Sequence, residues 1–299
     1  MKYPRQVNDE MNQLSVDEEI SLIQKSTELK RIELSMIFKA QSGHPGGALS
    51  CTDILVCLFN KILKLDPLDA SNSNSDVFIL SKGHASAAYY AVLADHGYFD
   101  MSLLESFRSF NSPLQGHPKK GLIPGVSVST GSLGMGLSIG LGMAMGMKLD
   151  KKDSKIFVLM GDGECDEGSV WEAAMAASHF KADNLVTIID RNGIQSDGMT
   201  EDIMGLEPLA EKWRSFGWNV IEVDGTSIRD LYNGFIDASS SKNKPSVIIA
   251  YMIKGQGVAF MQHVKEFHGK PPTKAEFDLA LEQLENYENM LIEHVKNRV

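Results

Sequence analysis

The chain has 299 residues, a formal net charge of −10 and a pI near 5.3, with 43% of its residues hydrophobic. That length accommodates a sizeable core in one large domain or two small ones, and the acidic balance argues against nucleic acid or an anionic membrane as partner while leaving room for a local basic pocket. No apolar run approaches the ~18 residues of a membrane span, the polar start MKYPRQVNDEMNQLSVDEE is not a signal peptide, and Cys51, Cys57 and Cys165 lack metal-ligand spacing, so a cytoplasmic protein is expected.

Residues 1–15 read as a loosely ordered polar extension, and residues 16–299 as one domain without repeat, low-complexity tract or linker. From Val16 to Ala40 the apolar residues Ile20, Ile23, Leu29, Ile32, Ile37 and Phe38 share a helical face. That helix stops at the loop Gln41-Ser42-Gly43-His44-Pro45-Gly46-Gly47, and another is expected near Ser50–Leu63. Asp76–Leu80 reads as a short strand leading through Ser81-Lys82-Gly83-His84 into an Ala-rich helix, Ala85–His96. A helix over Ser102–Phe110 is followed by the turn Gln115-Gly116-His117-Pro118. Thr130-Gly131-Ser132-Leu133-Gly134-Met135-Gly136 opens a Gly-, Ala- and Met-rich helix to Leu149, whose Gly136, Gly140 and Gly146 suit very close packing.

Next comes a βαβ pattern. Strand Ile156–Met160 turns at Gly161-Asp162-Gly163, a helical segment follows, and strand Leu185–Asp190 ends in Arg191-Asn192-Gly193. Trp218–Val223 and Ser246–Met252 add two strands around a helix from Ser227 to Ala238, and Thr273–Lys296 is an amphipathic helix with the capping pair Thr273 and Glu276. The expected architecture is α/β, a mostly parallel sheet of at least five strands with helices on both faces.

Asp162 and Asn192 each lie just past a strand end, where an open parallel sheet binds ligands. A carboxylate and an amide oxygen there suit a hard divalent cation shared with phosphate, and Gly161 and Gly163 let backbone approach a diphosphate. Either residue alone is equally well an ordinary Asx turn; the pair, about thirty residues apart across one helix and one strand, is harder to obtain by chance. An EF-hand is excluded, since Glu167 stands where it needs Gly, and a dinucleotide fingerprint is excluded because Asp166 stands at its third glycine.

His44, His84, His117 and His268 each sit beside glycine in a predicted loop, in SGHPGG, SKGHAS, QGHPKK and EFHGKP. A lone loop histidine is more often a satisfied surface residue than a catalyst, but four on connections that can converge at one sheet edge suit hydrogen bonding and proton transfer near pH 7. Metal ligation by them is disfavoured, because none has His-x-x-x-His or Cys-x-x-Cys company.

The GDG turn followed by Asn resembles the thiamine diphosphate signature. The segments KAQSGHPGG, DVFILSKGHASAAYY, QGHPKKGLIPGVSVSTGSLGMGLSIGLGMAM, GDGECDEG…RNGIQSDG and IKGQGVAFMQ…FHGKPP occur in the order seen in the diphosphate-binding domain of transketolases, over most of residues 30–272. The resemblance implies thiamine diphosphate with Mg²⁺ or Ca²⁺ held by Asp162, Asn192 and the carbonyl of Ile194. It places Gly161, the backbone of Gly163, and the side chains of His84 and His268 at the diphosphate, and Gly131, Leu133 and Ile194 beside the cofactor rings. It assigns the hydroxyls of a ketose donor to His44, His117 and His268, and sets Glu167 and Glu172 in a catalytic carboxylate network at a subunit interface, next to the cofactor in the case of Glu167. Ser132 and Met135 depart from the family's usual Pro and Gln, and Lys82 from its common Asn before Gly-His.

The family's activating glutamate and phosphate-binding arginines lie on a second, pyrimidine-binding domain that no segment after Gly269 supplies. The resemblance therefore implies the N-terminal subunit of a split transketolase, active with a separate C-terminal partner, as an α2β2 assembly. It would transfer a two-carbon ketol unit from a ketose phosphate to an aldose phosphate, by default in the pentose phosphate pathway. A deoxyxylulose-phosphate synthase-like enzyme, a 2-oxo acid dehydrogenase E1 alpha-like chain and a non-catalytic scaffold of the same fold are the alternatives. The first two fit the QGHP and FHG segments poorly, and a scaffold has no need for the polar set.

Overall fold

The computed structural model describes residues 14–67 and 74–298. Helices α1 (Val16–Ala40) and α2 (Pro45–Lys61) precede strand β1 (Val77–Leu80), and α3 (Ser86–Asp95) and α4 (Met135–Leu149) lead to β2 (Ile156–Gly161). Helix α5 (Gly168–His179) connects to β3 (Leu185–Arg191), and two short helices, α6 (Thr200–Ile203) and α7 (Leu209–Ser215), precede β4 (Asn219–Asp224). The described chain finishes with α8 (Ile228–Ser240), β5 (Ser246–Tyr251) and α9 (Lys274–Lys296). The strands form a five-stranded sheet in the order β1-β2-β3-β5-β4, with every pairing parallel, as expected.

Alternation along the strands builds two cores. Phe78, Leu80, Phe157, Leu159, Val186, Ile188, Ile248 and Ala250 join a cluster with α1, α2, α3 and α8. Ile79, Ile156, Val158, Met160, Leu185, Ile189, Val247 and Ile249 face the other way, into a cluster with α4, α5 and α7. The register sets Gly161 opposite Asp190, and Arg191 opposite Tyr251, so the ends of the central strands lie level at one edge.

Several expectations are corrected. Helix α2 starts at Pro45 rather than Ser50, because Pro at the first helical position leaves no backbone donor unsatisfied. Its first-turn glycines are needed for contact: a Cβ on Gly46 would lie 3.0 Å from the Phe267 carbonyl oxygen, and one on Gly47 3.3 Å from His84 Nε2. The helix expected over Ser102–Phe110 is a 3-10 turn, Met101–Ser106, that ends before Arg108 and Asn111, both in the left-handed region (φ 56° and 62°). Only Leu104 in that turn is buried, too little apolar surface to hold an α-helix. Of the extension expected over residues 1–15, residues 1–13 lie outside the described residues; Leu14 is buried and gives its carbonyl to Arg229 Nη1, and Ser15 caps α1. Among the described residues no helix is long and apolar enough to cross a membrane.

The glycines of α4 divide. A Cβ on Gly140 would lie 2.6 Å from Val158 Cγ2 and one on Gly136 2.2 Å from Ser81 Oγ, whereas Gly142 and Gly146 face open space, so Gly146 is not a close-packing residue within this chain. On the same outer surface Met135 of α4 and Met175 of α5 are exposed. We predict that Gly136→Ala lowers stability by about 1–3 kcal/mol through overpacking, while Gly146→Ala leaves it unchanged or raises it by up to ~1 kcal/mol. Denaturant unfolding of the two variants distinguishes them, and equal midpoints would contradict the packing described.

Candidate functional site

The sheet edge carries a cleft formed by the strand-end loops, lined among others by Lys82, His84, Leu133, Asp162, Asn192, Ile194, Lys254 and His268. Asp162 begins the turn after β2 and is 2% exposed. Its Oδ2 accepts from Arg191 Nη1 (3.0 Å), the Gly193 amide (2.7 Å) and Thr200 Oγ1 (3.2 Å), while among the described residues Oδ1 accepts only from the Gly163 amide (2.8 Å). One oxygen is thus anchored and the other retains a free lone pair. Arg191 also reaches Glu201 (2.6 Å) and Glu207 (3.1 Å), tying the segment after Asn192 to the same carboxylate.

Glu164, two residues on, is a buried carboxylate that joins three loops. It accepts from Ser81 Oγ after β1, from the Gly134 amide (2.9 Å) and from the Gly161 amide (3.1 Å). Gly134 holds a left-handed φ of 80° that turns the chain into α4 and carries Leu133 to the cleft.

The four predicted histidines converge. Ring centroids of His44 lie 5.2 Å from His84, 5.3 Å from His268 and 6.5 Å from His117, and His84 lies 5.2 Å from His268. Burial, followed by the charge of Arg108, lowers His44 to about 4; burial and then Lys254 lower His268 to about 3. His84 is pushed well below its ordinary value by burial and Lys82, and His117 is lowered by burial and Arg108. At neutral pH all four are uncharged, each with one donor and one acceptor nitrogen.

Two lysines missed as site residues stand behind them. Lys82 is 1% exposed, donates to the Gly47 carbonyl (2.9 Å) and pairs with Asp190, which also accepts from Ser50 Oγ (2.6 Å). Burial pulls its ammonium down, but Asp190, helped by Cys51 and Asp162, turns the net shift upward. Lys254 donates to the Ile194 carbonyl (2.6 Å) and lies 2.9 Å from His268 Nδ1, with no carboxylate within ion-pair distance among the described residues. Burial, then repulsion from Lys82, lowers it to about 8, so it remains mainly protonated at neutral pH. A buried ammonium without a counter-charge calls for an anion.

The donor set fits the expected group. Asp162 Oδ1, Asn192 Oδ1 and the Ile194 carbonyl are oxygen donors on adjacent turns, and among the described residues no group of three or more His, Cys, Asp or Glu forms a metal cage. So few protein oxygens suit a cation that completes its shell from phosphate and water, as Mg²⁺ does. Gly163 lies under the Gln195 side chain, where a Cβ would sit 2.8 Å from Gln195 Cβ, which keeps its backbone close to the cleft.

Of the sequence-predicted residues, His84, Leu133, Gly161, Asp162, Gly163, Asn192, Ile194 and His268 line the cleft. His44 and His117 adjoin it through the histidine cluster, and Gly131 packs on the His117 ring, where a Cβ would lie 3.2 Å from Cδ2. Glu167 and Glu172 do not come to the cleft; both are exposed, Glu167 at the start of α5 and Glu172 within it. Sequence reasoning missed Gly47, Lys254, Glu164, Arg191, Gln195 and Ser196, and noted Lys82 only as a departure from the family pattern. Only the position of Lys254, beside glycine in a loop after an apolar strand like the flagged histidines, offered a signal.

Residues 24–292 match the family model described as the transketolase, thiamine diphosphate-binding domain. The chain is 40% identical over 262 residues to one subunit of the apulose-4-phosphate transketolase of Phocaeicola vulgatus, covering 88% of this chain and 92% of that one. It is 36% identical over 269 residues to a 6-deoxy-6-sulfo-D-fructose transketolase subunit of Clostridium sp., covering 90% and 98%. The transketolase structure from Campylobacter jejuni superposes with a TM-score of 0.83 at 29% identity, covering 93% of this chain and 48% of that one. The chain therefore spans about half the length of that solved protein and nearly all of the two subunits.

Two measurements test the site. Replacing Arg191 by Met frees the Asp162 carboxylate to turn, and we expect Mg²⁺ affinity in the presence of inorganic pyrophosphate, read by calorimetry, to fall about ten- to a hundredfold; unchanged affinity would remove Arg191 from the site. Because His44 titrates near 4 and His268 near 3 when folded, the unfolded chain binds more protons from pH about 3 up to the ordinary histidine value of 6.5. Stability should therefore rise with pH across that window and be fully present above it, and a His44→Asn, His268→Asn double variant should flatten the melting temperature–pH curve.

Proposed function

Because the chain belongs to the transketolase family and carries its thiamine diphosphate-binding domain, we propose that it acts as the N-terminal half of a two-subunit transketolase, moving a two-carbon ketol unit from a ketose phosphate to an aldose phosphate. The observation that carries this reading is the convergence of four uncharged histidines beside a cleft whose oxygens and buried lysine suit a metal-bound diphosphate. The whole of residues 16–299 is read as this one diphosphate-binding domain.

When bound, thiamine diphosphate supplies the nucleophilic carbon and the electron sink for cleaving the bond beside a ketose carbonyl. The chain's own part is binding, orientation and proton handling. Asp162, Asn192 and the Ile194 carbonyl would hold Mg²⁺, with the Gly161 and Gly163 backbone, His84, His268 and Lys254 at the diphosphate. Leu133 and Ile194 offer apolar surface to the rings, and Gly131 keeps its loop close to His117. His44, His117 and His268, being neutral, can hydrogen-bond the hydroxyls of an open-chain sugar and move a proton at a free ring nitrogen without a standing charge.

A partner subunit is inferred from two features. The cleft encloses only ≈ 90 Å³, well below the ~300–1,000 Å³ of pockets that bury a ligand of cofactor size. The outer surface of α4 and α5 exposes Met135 and Met175 with Glu167 and Glu172 near by, a surface that suits a subunit interface in an α2β2 assembly. The activating carboxylic acid is expected on the partner. Three reduced, buried cysteines fit a cytoplasmic setting. The relatives are named for apulose-4-phosphate and for a sulfonated fructose. Those names favour a dedicated sugar pathway over the pentose phosphate default as the physiological role. A pyruvate-using synthase and a 2-oxo acid dehydrogenase chain are disfavoured by the histidine cluster, and a scaffold by the unpaired buried lysine.

The test is an assay of the purified chain with thiamine diphosphate, Mg²⁺, xylulose 5-phosphate and ribose 5-phosphate, with and without a chain carrying the pyrimidine-binding domain. Turnover is expected only with both chains. Full turnover by this chain alone sinks the two-subunit reading, and calorimetry showing no cofactor binding in either state sinks the enzyme reading.

A further inference from the structure

Arg108 touches the site only through other residues. Its backbone sits in the left-handed region, with its amide donating to the Leu114 carbonyl (2.9 Å), and this turn sends the side chain back across Gly116. A Cβ on Gly116 would lie 2.8 Å from the guanidinium carbon, so the glycine of the QGHP loop is the space the guanidinium fills. Nη1 donates to Ser42 Oγ (2.8 Å); Nη2 lies 3.4 Å from the Gly116 carbonyl oxygen and 3.3 Å from His44 Nδ1. Ser42 and His44 belong to the SGHP loop, while Gly116 directly precedes His117. One planar group therefore spans both loops on which the transketolase reading places the ketose hydroxyls.

A guanidinium has only donors and keeps its proton at any ordinary pH. Its contact with Nδ1 is attractive only if that nitrogen offers a lone pair, which in a neutral ring puts the proton on Nε2. Nδ1 being taken, Nε2 is the nitrogen left for a ligand. We propose that Arg108 is a positioning residue that fixes His44 as the Nε2–H tautomer and holds the two histidine loops at a set spacing, so that His44 presents a hydrogen-bond donor to an acceptor oxygen of the ketose donor. The inference rests on the transketolase reading for the identity of the ligand, though not for the tautomer. In the opposite tautomer, the Nδ1 proton would point at a cation and the ring would rotate away or leave the guanidinium unpaired.

The experiment is ¹⁵N NMR of the histidine rings in the full chain at neutral pH, with His44→Asn used to assign the His44 signals. The expected spectrum has an unprotonated Nδ1 and a protonated Nε2, moving toward a mixture of tautomers in Arg108→Met and recovering in Arg108→Lys, which restores a cationic donor. With the partner subunit present, Arg108→Met should raise KM for the ketose donor about tenfold, the scale of one hydrogen bond to a charged group, with a smaller effect on kcat. A protonated Nδ1 in the unaltered chain, or a tautomer unmoved in Arg108→Met, overturns the proposal, and the first result needs no variant to fold. The expected tautomer in a wild-type pair lacking ketol transfer would count against the transketolase reading alone, since ring protonation is read without turnover.

Discussion

The carboxylate of Glu164 sits where three strand-end loops meet, and their relative placement depends on it. It accepts hydrogen bonds from the Ser81 hydroxyl and from the backbone amides of Gly134 and Gly161, almost wholly buried at the wall of the cleft. Burial raises its pKa, while those donors hold it down. Removing one donor would leave a buried oxygen uncompensated, costing about 1–3 kcal/mol, so the loops are held by mutual need. Gly136 packs on Ser81, Gly134 delivers Leu133, and Gly161 begins the turn that exposes Asp162 Oδ1.

Around that junction two buried carboxylates are paired with cations. Lys82 is matched by Asp190, and Asp162 by Arg191, each pair buried and further hydrogen bonded. Such pairs do little for net stability, yet they set geometry, because either charge alone would be very costly. Among the described residues Lys254 has no such match and borrows a carbonyl and an imidazole. A chain with a net charge of −10 thus keeps a local cationic point at its sheet edge, and His268 beside it is held neutral first by burial and then by the charge of Lys254.

The sheet was legible in the sequence because its strands are short apolar runs separated by helix-period segments, and all five appear within a residue or two of their expected limits. The GDG–Asn pair and the histidine loops were legible for a related reason: glycine beside a polar residue at a strand end marks where backbone must come close to something. Helix α2 was misjudged at its start because Pro45 and two glycines normally mark a loop; here they admit His84 and Lys254 against the helix's first turn. Glu164 and Arg191 carried no local pattern, since their meaning lies in partners up to 83 residues away, as between Ser81 and Glu164. Arg108 stood inside an expected helix, and its role follows from the break in that helix.

The strand order has a consequence for the time course of assembly. Strand β4 leaves the ribosome before β5, yet among the described residues β5 is its sole neighbour in the sheet. Its ladder of hydrogen bonds must wait until the chain has passed through α8 and come back to fill the gap beside β3. The same late strand carries Lys254 to the cleft just beyond its end. During synthesis, Asp162 and Asn192 are therefore in existence before the ammonium of Lys254 that adjoins them in the cleft.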